Sequence, residues 1–97
     1  MFDYESVMPV KIRHNEFELE SIGTVTVSTI ALPPWYVDTK VKYETAVIWD
    51  AVNDLDDGFR IMHVGYEQRA AEDVHRYWCD ATRLAELIHH AVTSRSN

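Results

Sequence analysis

Residues 24–32 read TVTVSTIAL, and this stretch decides the fold. It is rich in β-branched side chains, which fit a pleated, half-buried surface. Val25, Val27, Thr29 and Ala31 alternate with Thr24, Thr26, Ser28 and Ile30, the twofold period of a strand. Pro33 and Pro34 end it, because neither can donate to a ladder. Downstream, KVKYETAVIWDA at residues 40–51 repeats the pattern. Val41, Tyr43, Thr45, Val47 and Trp49 share one face, and Lys42, Glu44, Ala46, Ile48 and Asp50 the other. DAVNDLDDG, residues 50–58, reads as an acidic turn region closed by Gly58. Phe59 to Gly65 resumes strand character, with Phe59, Ile61 and His63 alternating against Arg60, Met62 and Val64. Upstream, Val7 to His14 reads as a short strand with Val10 and Ile12 on one face. Asn15 and Glu16 then make a turn, and Phe17 to Glu20 is the second arm of a hairpin.

From Glu67 the period lengthens from two to 3.6. Ala71, Val74, Trp78, Ala81, Ala85, Ile88 and Val92 fall at steps of three and four, widened by Leu84, Leu87 and Ala91. Arg69, Glu72, Asp73, Arg76, Asp80, Arg83 and Glu86 lie mostly opposite. The spacing predicts one amphipathic helix of about six or seven turns, unbroken by Gly or Pro. Strands followed by a helix predict an α+β fold: an antiparallel sheet of about three to five strands with one long C-terminal helix packed on one face. The expectation is a single domain over 1–97, with residues 1–6 and 94–97 frayed.

The bulk numbers exclude several classes. The chain is 46% hydrophobic and 26% charged, ordinary for a globular protein. Its net charge of −7 repels phosphates and argues against nucleic acid. No apolar run approaches the length of a membrane span. MFDYESVMPV has early acids and no basic region before an apolar core, so a signal peptide is not expected. The one cysteine, Cys79, cannot form an internal disulfide, which fits a reducing compartment.

Pro33-Pro34-Trp35-Tyr36 spells PPxY, the pattern that WW domains grip as a proline helix. The plainer reading is a strand end and a loop that offers an aromatic contact surface. His75 and Cys79 stand at i and i+4, a spacing that seats two metal ligands; His89, His90 and Glu86 form another candidate group. Neither is a complete set, so no metal or cofactor is expected. Packing explains His75, and charge at a helix C-terminus explains His89 and His90. Glu44, mid-strand, needs a partner such as Arg60 or His75 if both sheet faces are covered, and a Glu–His pair can serve as acid and base. On a one-sided sheet it simply meets water. Ser28 and Thr29 lack the glycines of a nucleophile elbow. Asp50, Asp54, Asp56 and Asp57 lack EF-hand spacing and read as a solvated turn.

The order of segments resembles a group of small proteins encoded by bacteriophages of actinobacteria. That group runs through an STV strand, a loop, a FET strand, a turn, a further strand and a helix beginning near EEA..GH. Here the matching residues are Val27-Ser28-Thr29-Ile30, Tyr43-Glu44-Thr45 and Ala71-Glu72-Asp73-Val74-His75. The similarity covers roughly Thr24 to Cys79. Two departures stand out: the loop is ALPPWYVDT rather than glycine-rich, and Tyr66-Glu67 replaces a Ser-Thr helix cap. The resemblance implies an accessory phage product working in bacterial host cytoplasm, and names no activity.

Three Trp and five Tyr in 97 residues supply the types enriched at interface hot spots. The expected function is therefore non-enzymatic binding of a host protein, in host takeover or anti-defence. Trp35, Tyr36, Asp54, Asp56 and Asp57 are the expected partner-binding residues. A phage structural or assembly component, or a self-associating homodimer, is the alternative. A small enzyme using Glu44 and His75 is the third reading.

Overall fold

A computed structural model describes residues 10–32, 40–49 and 58–95. The fold is α+β. Four strands, β1 (Val10–Leu19), β2 (Gly23–Leu32), β3 (Lys42–Trp49) and β4 (Gly58–Gly65), form an antiparallel meander in the order β1-β2-β3-β4. Two helices follow, α1 (Gln68–Trp78) and α2 (Ala81–Arg95), and cover one face of the sheet. No helix of the described residues is long and apolar enough to cross a membrane.

The alternation of β2 and β3 is realised as read. Val25, Val27 and Thr29 pair across the ladder with Trp49, Val47 and Thr45, and all six are buried. The core gathers Val25, Val27, Val47 and Trp49 from the sheet with Leu84, Ile88 and Ala91 from α2. Trp78 is half-buried against it, and Ile88 is fully enclosed. Sheet and helix each bury one apolar face, and each covers the other.

The helical stretch is divided at Cys79–Asp80. Asp80 interrupts it by acting as an N-cap: its Oδ1 accepts the backbone N–H of Arg83 at 3.0 Å. Such a cap contributes about 1 kcal/mol, enough to win over one more turn of α1. Arg83 secures the break, donating to the carbonyl of Tyr77 at 2.9 Å and lying over its ring. The break resets the helical phase. The buried line of α2 is Leu84, Ile88 and Ala91, while Ala81 is exposed and Ala85 only half-buried. On α1 the buried positions are Ala71 and His75.

The first hairpin also departs from expectation. β1 runs unbroken through Asn15 and Glu16, and the turn falls at residues 20–22. Ser21 and Gly23 take positive φ, 68° and 99°, and Ile22 N–H closes the turn on Leu19 O at 3.2 Å. A glycine suits such a conformation, and Asn15–Glu16 has none beside it. Bulges shift the register within β1 between Lys11 and Arg13, and within β4 opposite Thr45 and Ala46. The second bulge inserts Met62, so Ile61 and His63 fall on opposite faces rather than sharing one.

Candidate functional site

The unbroken β1 carries Asn15 onto the helix-covered face, where it meets α1. His75 points from α1 onto the sheet and is only 2% exposed. Beneath it lie Thr29 and Thr45, both fully buried. Thr29 Oγ1 is 2.8 Å from His75 Nδ1 and 2.7 Å from Thr45 Oγ1. Thr45 Oγ1 also reaches the carbonyl of Ala71 at 3.2 Å. At the other edge of the ring, His75 Nε2 lies 2.8 Å from Asn15 Oδ1.

Counting protons assigns the network. A carbonyl oxygen only accepts, so Nε2 carries hydrogen and donates to Asn15 Oδ1. Burial holds the ring pKa below the usual histidine value, with the charges of Arg13 and His14 acting in the same direction and Glu72 opposing. The ring is then neutral near neutral pH, and Nδ1 accepts from the Thr29 hydroxyl, which accepts from Thr45; the one Thr45 proton then points to Thr29, and the Ala71 carbonyl is left with its α1 backbone partner. If the ring gains a second proton, both hydroxyls turn round. Nδ1–H then donates to Thr29, Thr29 to Thr45, and Thr45 to the Ala71 carbonyl. Either way each nitrogen and hydroxyl keeps a partner, the condition for burying such groups.

His75 is therefore expected to be the Nε2–H tautomer and to titrate below the ordinary value of about 6.5. The unfolded chain takes up its proton first, so stability is lost as pH falls from about 6.5 towards the folded-state pKa, and is unaffected by this group above that window. Long-range proton–nitrogen NMR correlations read both properties. An Nδ1–H tautomer, or a pKa above the usual value, contradicts the assignment.

Beyond Asn15 the surface opens into a cleft of about 280 Å³ lined by Arg13, Asn15, Glu72, His75, Arg76 and Cys79. Arg13 Nε donates to Glu72 Oε1 at 2.9 Å, and Arg76 pairs with Asp73 at 2.9 Å on the exposed side of α1. Burial pushes the Cys79 thiol up, with Arg13 opposing, so it stays protonated at neutral pH and is a poor nucleophile.

A second feature lies on the outer face, away from the helices. Phe59 pairs with Ile48, Ile61 with Ala46, and Val64 with Glu44. Ile48, Phe59, Ile61 and Val64 are 38–57% exposed, a strip at the β4 edge of the sheet. Together they offer on the order of 300 Å² of apolar surface, the size at which a monomer's largest patch becomes informative. Across the same face the residues grade to the hydroxyls of β2 and to His14, Glu16 and Glu18 on β1.

The sequence-derived candidates are distributed differently. Trp35, Tyr36, Asp54, Asp56 and Asp57 lie outside the described residues, as does Asp50. Glu44 and His75 do not meet. Thr45 points to α1, so its strand neighbour Glu44 points to the outer face, with the sheet between it and His75. His75 and Cys79 line one cleft, while His89, His90 and Glu86 are exposed on α2. Among the described residues no three His, Cys, Asp or Glu side chains converge as metal ligands. The sequence does not mark Asn15, Arg13 and the threonine pair as members of one site. Their one signal was the two hydroxyls on otherwise apolar strand faces, opposite a histidine beside the helix stripe. Comparison with protein-family models, curated proteins and solved structures finds no match.

Proposed function

We propose that this protein is a non-enzymatic interaction module that binds another protein through the β3–β4 end of its outer sheet face. The observation that supports this is the strip Ile48, Phe59, Ile61 and Val64, apolar and exposed in a chain of net charge −7. Apolar side chains at an open strand edge gain by leaving water, and a partner is what removes them from it. The proposed setting is the one implied by the resemblance in segment order: a phage accessory product that acts on a bacterial host protein in the host cytoplasm.

The test uses the full chain as bait on actinobacterial lysate, beside a Phe59→Ser, Ile61→Ser variant. Both side chains are exposed, so the variant should fold, and circular dichroism checks it. A host protein held by the wild type and weakened about thirtyfold or more in the variant is expected, the effect of losing hot-spot contacts. Equal capture by both folded proteins would remove this face from the function. A dimer of the chain alone, lost in the variant, would replace the host partner by self-association.

A further inference from the structure

The cleft between β1 and α1 has a chemistry of its own, separate from the outer face. Its lining residues carry two guanidinium groups, Arg13 and Arg76, and one carboxylate, Glu72. Each guanidinium already faces one acid, Arg13 on Glu72 and Arg76 on Asp73 at the rim, so the group is neutral in a protein of net charge −7. Glu72 is already engaged, since its Oε1 accepts from Arg13 Nε. That bond uses the Nε edge of Arg13 and leaves its terminal amino groups for a ligand.

Asn15 adds a neutral donor of fixed direction. Its Oδ1 is turned to His75 Nε2, and that ring is enclosed and braced by Thr29 from below. An amide whose oxygen is held this way presents its NH₂ on the other side. The relay keeps this orientation in both protonation states, because only the hydroxyls reverse. Two arginines and a pre-oriented amide are the donor set that recognises an oxyanion.

We infer that this cleft binds a small monoanionic oxyanion, a carboxylate group, through Arg13, Arg76 and the side-chain NH₂ of Asn15. Glu72 and Asp73 set the charge limit: each arginine already faces one acid, so a carboxylate adds a single negative charge, and a phosphate dianion meets stronger repulsion from both acids. His75 acts as a positioning residue that holds Asn15, and Cys79 contributes a neutral thiol wall. Asp73 Oδ1 accepts from one terminal amino group of Arg76, which leaves the other for the ligand.

The experiment is an NMR titration of the full chain with sodium acetate at fixed ionic strength, with inorganic phosphate and acetamide as parallel arms. Acetate should give saturable shifts at Arg13 Nε, the Asn15 side-chain amide and the His75 ring, with phosphate weaker and acetamide silent. Arg76→Gln and Asn15→Ala should each weaken acetate about tenfold, the loss of one charge-assisted or oriented hydrogen bond. Arg76 is surface-exposed, so its replacement tests the ligand contact without disturbing the core. His75→Asn, which frees the Asn15 amide, should also weaken acetate while Arg76 stays in place. Linear, non-saturating shifts, or unchanged affinity in folded Arg76→Gln and Asn15→Ala, overturn the proposal. Phosphate binding tighter than acetate overturns the monoanion assignment.

Discussion

Replacing Gly58 by alanine should destabilise the protein by about 2–4 kcal/mol, although alanine in place of a strand glycine ordinarily stabilises. Gly58 pairs directly with Trp49 across the β3–β4 ladder, and the indole lies over its Cα. A Cβ at this position would fall inside the ring. Trp49 is 7% exposed and packs with Val25, Val27, Val47, Leu84, Ile88 and Ala91, so the indole has nowhere to retreat without opening the core. The gain from a less flexible unfolded chain is at most about 1 kcal/mol, and the clash outweighs it. For a domain this small each kcal/mol moves the melting temperature by about 4–8 °C. A fall on the order of 15 °C is therefore expected, with a shifted Trp49 indole signal. The other strand glycines give the contrast. At Gly65 a Cβ meets the end of the His63 side chain at 3.1 Å, a contact that asks the ring to give by only a few tenths of an ångström. At Gly23 there is open space, and only the positive φ opposes substitution. A Gly58→Ala protein with wild-type melting and an unmoved Trp49 signal would contradict the packing described.

The second large effect concerns the polar core. His75→Leu should cost about 2–4 kcal/mol, through an imperfectly filled site and a Thr29 hydroxyl that loses its ring partner. Thr29→Val alone should cost about 1–3 kcal/mol, because it strips His75 Nδ1 of its buried partner. The informative protein is the triple variant Thr29→Val, Thr45→Val, His75→Leu. Removing the three buried polar side chains leaves no buried one unsatisfied: exposed Asn15 can turn its Oδ1 to water, and the Ala71 carbonyl keeps its place in the α1 backbone. The triple variant should therefore be more stable than the sum of single effects implies, by roughly 2 kcal/mol, within the range of coupled neighbours. Chemical denaturation of the three single variants and the triple measures this. Additivity within about 0.5 kcal/mol would mean that the three groups do not act as a unit.

The polar core also shows how far the candidate site could be read in advance. Thr29 and Thr45 were placed on the correct faces by alternation alone, beside Val27 and Val47. Nothing in that alternation distinguishes a hydroxyl that merely fills space from one that solvates a buried ring. Asparagine favours turns, so local sequence places Asn15 in one. The strand through it is decided by pairing with Val27, a contact that its neighbours in the chain do not reveal. One acid and one base invite a pairing of Glu44 with His75, and the parity of β3 sends them to opposite sides of the sheet.

By itself the sequence determined the α+β class, the order of strands before helix, and the inward faces of β2 and β3. These follow from the twofold and 3.6-residue periods, which are properties of the local backbone and are written in neighbouring residues. The structure, and not the 3.6-residue period, decided the break at Asp80, where a local side-chain cap competes with helix propagation at nearly equal free energy. It alone decided that Met62 bulges, since a bulge depends on the partner strand. And it alone assembled the site: Asn15 and His75 stand 60 residues apart, and their hydrogen bond exists because the sheet and α1 bring them within 2.8 Å.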